Sequence, residues 1–336
     1  MAKNDSRTKA FDTTAKSKKG HKSRGRIRQQ IVISIFAVIA LILVVFATLI
    51  IGKIIMLKKE GGSSQNTPPI NTVSLSASDI KKGNLLLITD DTYSLPDDLS
   101  DMINVYDDQH DPKNKDFTHI NGIPTYTLSF DRITLSSETL KAFNEMILDY
   151  CNSPEFVSKN DEVVSNLEIG WGGYSNATRE EYQTDNDRPD FYDHGLGTSI
   201  TLKSADYHTR FSETLFSDEH PWIYQNAHKY GFILRYPNKC QSHTGLNSTE
   251  TIHLRYVGVE HATYIHDNGC CLDEYLEMLS EEHGYNNPLE IVADGKTFLV
   301  YYVEASGNPI NVPVLAGKNY TVSGNNMNGF IVSVEK

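Results

Sequence analysis

The chain has 336 residues, with 31 Lys+Arg against 43 Asp+Glu and a formal net charge of −12. Ten of the basic residues and only two of the acids fall within residues 1–30; taking ten from 31 and two from 43 leaves 21 basic and 41 acidic side chains for the rest. That remainder, near −20, argues against a nucleic-acid-binding protein, and the length allows about two domains.

Residues 1–30 read as a basic tail without fixed structure. Residues 31–52 carry no charge. Twenty-two residues at about 1.5 Å each span about 33 Å, enough to cross a hydrocarbon core of about 30 Å. One helix is expected over 31–57, before Lys58-Lys59. A cleaved signal peptide is the rival reading, but its apolar run is usually about 7–15 residues, so an uncleaved anchor is preferred. The basic run before the span places the N-terminus in the cytoplasm and the C-terminal part outside the cell membrane. Residues 58–79 contain Gly61-Gly62-Ser63-Ser64 and Pro68-Pro69 and read as a flexible spacer.

Leu85–Thr89 is a strand candidate. Leu140, Phe143, Met146, Ile147 and Tyr150 recur at helical spacing after Ser136-Ser137, which predicts a helix over 135–151. Residues 163–175, with Val163-Val164 and the run from Leu167 to Ser175, read as a strand running into a glycine turn, and Leu196–Leu202 as a strand entered directly from His194. Trp222 and Tyr224 read as core residues of a short helix that stops at Gly231, followed by a strand over Phe232–Tyr236. A closing helix is expected over Leu272–Leu279. After Gly284 the chain turns rich in Val, Tyr, Asn and Gly, and four short strands are expected, over 297–303, 310–315, 320–323 and 329–334.

Cys151, Cys240, Cys270 and Cys271 allow three disulfide pairings, and the sequence does not choose among them. Cys270-Cys271 adjacency has no zinc-knuckle spacing, so no structural metal is expected there.

Two runs carry the chemistry. His194-Gly-Leu-Gly-Thr-Ser-Ile-Thr201 precedes, by some fifty residues, Glu250-Thr-Ile-His253-Leu-Arg255-Tyr-Val-Gly258. In their order and spacing these resemble the zinc-dependent, VanY-like D-alanyl-D-alanine carboxypeptidases (peptidase family M15). The resemblance covers roughly residues 80–285. It implies an α+β, carboxypeptidase-like (Hedgehog/DD-peptidase type) core over 80–285, with a small C-terminal β module over 286–336 and the N-terminal transmembrane helix. The family supplies His-x6-Asp, then Glu-x-x-His. By that pattern His194, position 201 and His253 would be metal ligands and Glu250 the general base. Position 201 is threonine, a poor zinc ligand beside a carboxylate. An earlier Ser-Gly-Tyr-Arg turn of the family matches at Gly173-Tyr174, but Ser175 stands where the Arg would be. Tyr174, Ser175 and Arg255 are the substrate-binding candidates. Asp193 would point away on a strand, and Asp206 falls in the following loop. For Arg255 and Arg235, stacking or ion pairing is preferred over ligand binding.

Two functions follow from the resemblance. One is a membrane-held member with an impaired site that binds peptidoglycan stem peptides or a protein partner. The other is an active zinc D,D-carboxypeptidase that trims terminal D-Ala. Zinc is implied only if the site is functional. In either case the two imidazoles should converge within about 8 Å.

Overall fold

The computed structural model describes residues 70–88, 101–114, 118–120, 122–159, 166–173, 193–205, 209–244 and 252–336. Residues 31–57, the expected anchor, lie outside this set. Among the described residues no helix is long and apolar enough to cross a membrane.

Folded structure begins earlier than the expected spacer allows. Ile70–Leu75 (β1) pairs antiparallel with Ile310–Leu315, from Ile70 opposite Leu315 to Leu75 opposite Ile310. Val73 and Leu75 thereby pack against Val312 and Val314. A single 3₁₀ turn over Ala77–Lys81 follows. Leu85–Ile88 are buried but form no strand. The backbone N–H of Leu85 donates to Ser323 Oγ at 2.9 Å, and that of Leu87 to the Asn325 carbonyl at 3.2 Å. These bonds satisfy buried amides without a sheet ladder.

Thr127–Leu128 (β2) is a short parallel partner of the strand Leu167–Trp171. Between them lies Ser137–Cys151 (α1), whose N-cap Ser136 accepts from the Thr139 amide. Its Leu140, Phe143, Met146, Ile147 and Tyr150 are all buried, as the periodicity predicts. Leu167–Trp171 (β3), Ser199–Ser204 (β4), Phe232–Leu234 (β5) and Ile252–Tyr256 (β6) extend the central sheet, in spatial order β5-β6-β4-β3-β2, and the short strand Thr209–Arg210 pairs with β4 off this path. Gly231, at φ +84°, turns the chain into β5. A side chain there would meet the Tyr256 ring at 2.5 Å.

The sheet is buried on both faces, and its side chains divide by parity. Ile200, Leu202, Ile252 and Leu254 join Leu140, Phe143 and Phe232 in one hydrophobic cluster. The alternate positions Ser199, Thr201, His253 and Arg255 share the other face. The register puts His253 opposite Thr201 and Arg255 opposite Ser199.

Val259–Asn268 (α2) and Leu272–Glu282 (α3) follow, separated by a left-handed Gly269. A four-stranded antiparallel sheet then forms from Leu289–Ala293 (β7), Lys296–Glu304 (β8), Tyr320–Gly324 and Gly329–Glu335. β7 is an additional strand. It is joined to β8 by the two-residue turn Asp294-Gly295, both at positive φ. Ile310–Leu315 is a strand, as expected, but it leaves this sheet to pair with β1. Ile291, Ala293, Val300 and Ile331 share a hydrophobic core with Ala262 and Ile265 of α2 and Leu272, Leu276 and Leu279 of α3. Residues 68–336 form one compact unit. The four cysteines are free thiols.

Candidate functional site

Asp193 and His194 lie on a helical turn, not on a strand. The Leu196 and Gly197 amides donate back to the Asp193 and His194 carbonyls, and Gly197 takes φ +66°. This turn lays both side chains over the polar face of β4 and β6. Asp193 therefore points into the site, contrary to the strand expectation.

The described side chains form one hydrogen-bonded network. His194 Nδ1 donates to the Ser199 carbonyl at 3.1 Å, which leaves Nε2 to accept from the Thr201 hydroxyl at 3.0 Å. The His194 and His253 rings lie 4.4 Å apart, centroid to centroid. His253 Nε2 donates to Asp193 Oδ2 at 3.0 Å. Asp193 also accepts from the Ser199 hydroxyl and from Arg255 Nη1. Arg255 Nη2 reaches the carbonyls of Asn84 and Leu86 at 3.1 and 3.3 Å. Asp193 and Arg255 are both 0% exposed, and His194, Thr201 and His253 at most 5%. Arg255 is thus enclosed in an ion pair, the role preferred for it on sequence. Arg235 is likewise structural. It pairs with Asp273 at 2.7 Å and stacks on Tyr236, whose ring meets His253 edge-on.

Burial alone would push the Asp193 carboxyl up. The Arg255 guanidinium and the His253 hydrogen bond overcome it and hold Asp193 well below the usual carboxylate range. Burial, reinforced by His253, lowers His194 from 6.5 to about 3, so its imidazole is neutral at neutral pH.

A hydrolytic zinc needs three protein donors that are unprotonated and free. Here one imidazole nitrogen, His194 Nε2, is taken by a hydroxyl proton. The third position offers that same neutral hydroxyl. The only carboxylate seen in the network, Asp193, is neutralised by Arg255. The described donor set does not fit a resident zinc. Glu250, Tyr174 and Ser175 lie outside the described residues, as does Asp206. Among the described residues, the groups of three ligating side chains that do come within 4.8 Å of one another are elsewhere, at His228/His266/Asp267 and Cys240/Cys271/Glu274.

A cavity of about 620 Å³ opens along the edge strand β5, lined by Phe216, Tyr224, His228, Ile233, Leu254 and Cys270 among others. It does not reach His194 or His253. Tyr224, expected in the core, is 41% exposed at this cavity and donates to Glu213 at 2.9 Å. Its hydroxyl finds a partner at the surface, while Trp222 is only partly buried.

The family model for VanY, D-alanyl-D-alanine carboxypeptidase, matches residues 156–259. A D-alanyl-D-alanine carboxypeptidase of Enterococcus faecium is 30% identical over 287 residues, covering 82% of this chain and 82% of its own length. The chain belongs to the VanY family of D-alanyl-D-alanine carboxypeptidases. A second D-alanyl-D-alanine carboxypeptidase, from Enterococcus faecalis, is 36% identical over 105 residues, 31% of this chain and 37% of its own. Among solved structures, the vancomycin-resistance D,D-dipeptidase VanXYg, bound to a D-Ala-D-Ala phosphinate analog, superposes with a TM-score of 0.58 at 20% identity. That match covers 80% of this chain and 100% of the other. It shows a shared fold.

In this VanY-family chain the sign of the His194 shift sets a pH dependence. The unfolded imidazole titrates near 6.5 and the folded one near 3. The unfolded state therefore binds more protons across that window. The contribution to stability is present above 6.5 and is lost as pH falls toward 3. The urea midpoint should drop between pH 7 and pH 4, and His194→Gln should flatten that slope. A midpoint that does not change with pH, or a slope unchanged in the variant, would contradict a neutral buried His194.

Proposed function

We propose that this chain is a catalytically impaired D-alanyl-D-alanine carboxypeptidase-like protein of the cell envelope. In this reading residues 31–57 hold it in the membrane, and its ectodomain binds peptidoglycan stem peptides. The observation that carries the reading is the Thr201 hydroxyl bonded to His194 Nε2, where the family pattern has a carboxylate ligand. A threonine cannot supply the negative charge a zinc shell needs, and its proton competes for the imidazole lone pair. Losing even the partners behind a metal's ligands commonly costs about 10–100-fold in affinity or activity, so losing a ligand should cost more. The Asp193–Arg255 pair then serves to hold the two imidazole-bearing segments in register.

The test uses the full chain in detergent with a pentapeptide ending in D-Ala-D-Ala. Calorimetry should detect binding, while D-alanine release with added zinc stays at the rate of the heat-denatured chain. Zinc-dependent release abolished by Glu250→Ala would instead establish the active D,D-carboxypeptidase. Absence of binding would remove the stem-peptide role.

A further inference from the structure

Away from the cleft, the chain gathers two thiols, a carboxylate and an imidazole. Cys240 ends the 3₁₀ turn Asn238–Cys240, and His243 follows three residues later in the helical turn Gln241–Thr244. Cys271 is the N-cap of α3, and Glu274 lies three residues into it. The distant Cys240 faces Cys271, a pairing that the adjacency of Cys270 and Cys271 conceals in sequence. Cys240 and Cys271 Sγ and a Glu274 carboxylate oxygen all lie within 4.8 Å of one another. Cys271 Sγ–H donates to Glu274 Oε2 at 3.3 Å, and His243 Nε2 stands 3.7 Å from Glu274 Oε1. Donors around one tetrahedral zinc lie about 3.3–3.8 Å apart, given bonds of about 2.0–2.3 Å.

We propose that Cys240, His243, Cys271 and Glu274 form a structural zinc site that ties the 238–244 turn to the start of α3. His243 lies outside that group of three and would turn in from the surface beside Glu274, so that two donor pairs, each spaced i to i+3, close a Cys₂HisGlu shell. Both thiols are 1% exposed. His243 and Glu274 keep side-chain exposures of 43% and 39%, so an ion arrives from the solvent side. Burial raises both thiols above their ordinary range, so they hold their protons until an ion displaces them. Two facing thiols could instead close a disulfide, passing two electrons to a small-molecule disulfide and releasing two protons. A disulfide has no use for the carboxylate and imidazole beside it, and that favours the ion. Cys270 is turned away, toward the Ile265 carbonyl, and takes no part.

Cobalt(II) is the probe, added to the full chain purified under reductant. The expected result is one equivalent bound, with a sulfur-to-cobalt charge-transfer band and tetrahedral d–d bands, bleached by zinc. Cys240→Ser should remove the charge-transfer intensity of its thiolate. His243→Ala, a surface change that leaves the fold intact, should weaken binding at least about tenfold while the thiolate band persists. His194→Ala should leave the spectrum unchanged. Four titratable thiols with no thiolate band would overturn the site. So would bands lost in His194→Ala but kept in Cys240→Ser, or two thiols missing from protein isolated without reductant.

Discussion

Thr201→Asp should raise the zinc affinity of the cleft at least about tenfold, or 1.4 kcal/mol. The register places residue 201 directly opposite His253, and its side chain already reaches His194 Nε2. An aspartate there removes the hydroxyl proton from the His194 lone pair and brings a full negative charge beside His194 and His253. Without metal the same change should destabilise the fold, because a second carboxylate enters a buried face where Arg255 already serves Asp193 and Arg235 already pairs with Asp273. Zinc should then raise the thermal midpoint of the variant far more than that of the parent. Both quantities are best measured in a Cys240→Ser background, so that a sulfur site cannot contribute. Turnover should still lag, since Ser175 supplies no cation. Adding Ser175→Arg should help only once the metal is held, a non-additive pattern expected of groups that act as a unit. No gain in zinc affinity in Thr201→Asp would mean that the cleft has been rebuilt for another task.

Arg255→Met should cost about 3–5 kcal/mol of folding stability, the usual penalty for leaving one buried charge without its partner. The guanidinium holds Asp193 and the carbonyls of Asn84 and Leu86, so its loss frees the 84–88 segment from β6 as well as exposing the carboxylate to its desolvation cost. Asp193→Asn in the same chain should recover a large part of that loss, because the uncompensated charge is then gone. Arg255→Lys should recover little, since one ammonium cannot reach the carboxylate and two carbonyls with the geometry of a planar fork. Equilibrium urea unfolding of the two single variants and the double variant gives the coupling. Additive losses would show that the pair is not energetically linked.

Much of this arrangement was legible in the sequence where a period was present. The apolar spacing of 140–150 located α1 within two residues, the Gly231 stop fell where expected, and the strand expected within 163–175 is Leu167–Trp171 among the described residues. Alternation in Ile252–Tyr256 suffices to put His253 and Arg255 on one face, and the family spacing brought His194 to it. What failed was long-range or irregular. β1 was hidden because its partner lies some 240 residues away, and nothing local distinguishes a Pro-flanked spacer from an edge strand. Asp193 was misplaced because the two glycines at 195 and 197 end a helical turn there, so strand parity does not apply. Glu290 and Val292, exposed between buried Ile291 and Ala293, make β7 a one-sided strand; the Asp294-Gly295 turn was the signal that could have found it. The ion pair of Asp193 with Arg255, the centre of the site, joins residues 62 positions apart and had no sequence signature.

The most direct test is an anomalous difference map at the zinc edge, from crystals of the full chain grown with zinc and without chelator. No zinc peak should appear between His194 and His253, with the Thr201 hydroxyl still on His194 Nε2. A zinc peak bonded to both imidazoles, with Glu250 beside it, would contradict the account and make this chain a working metallopeptidase.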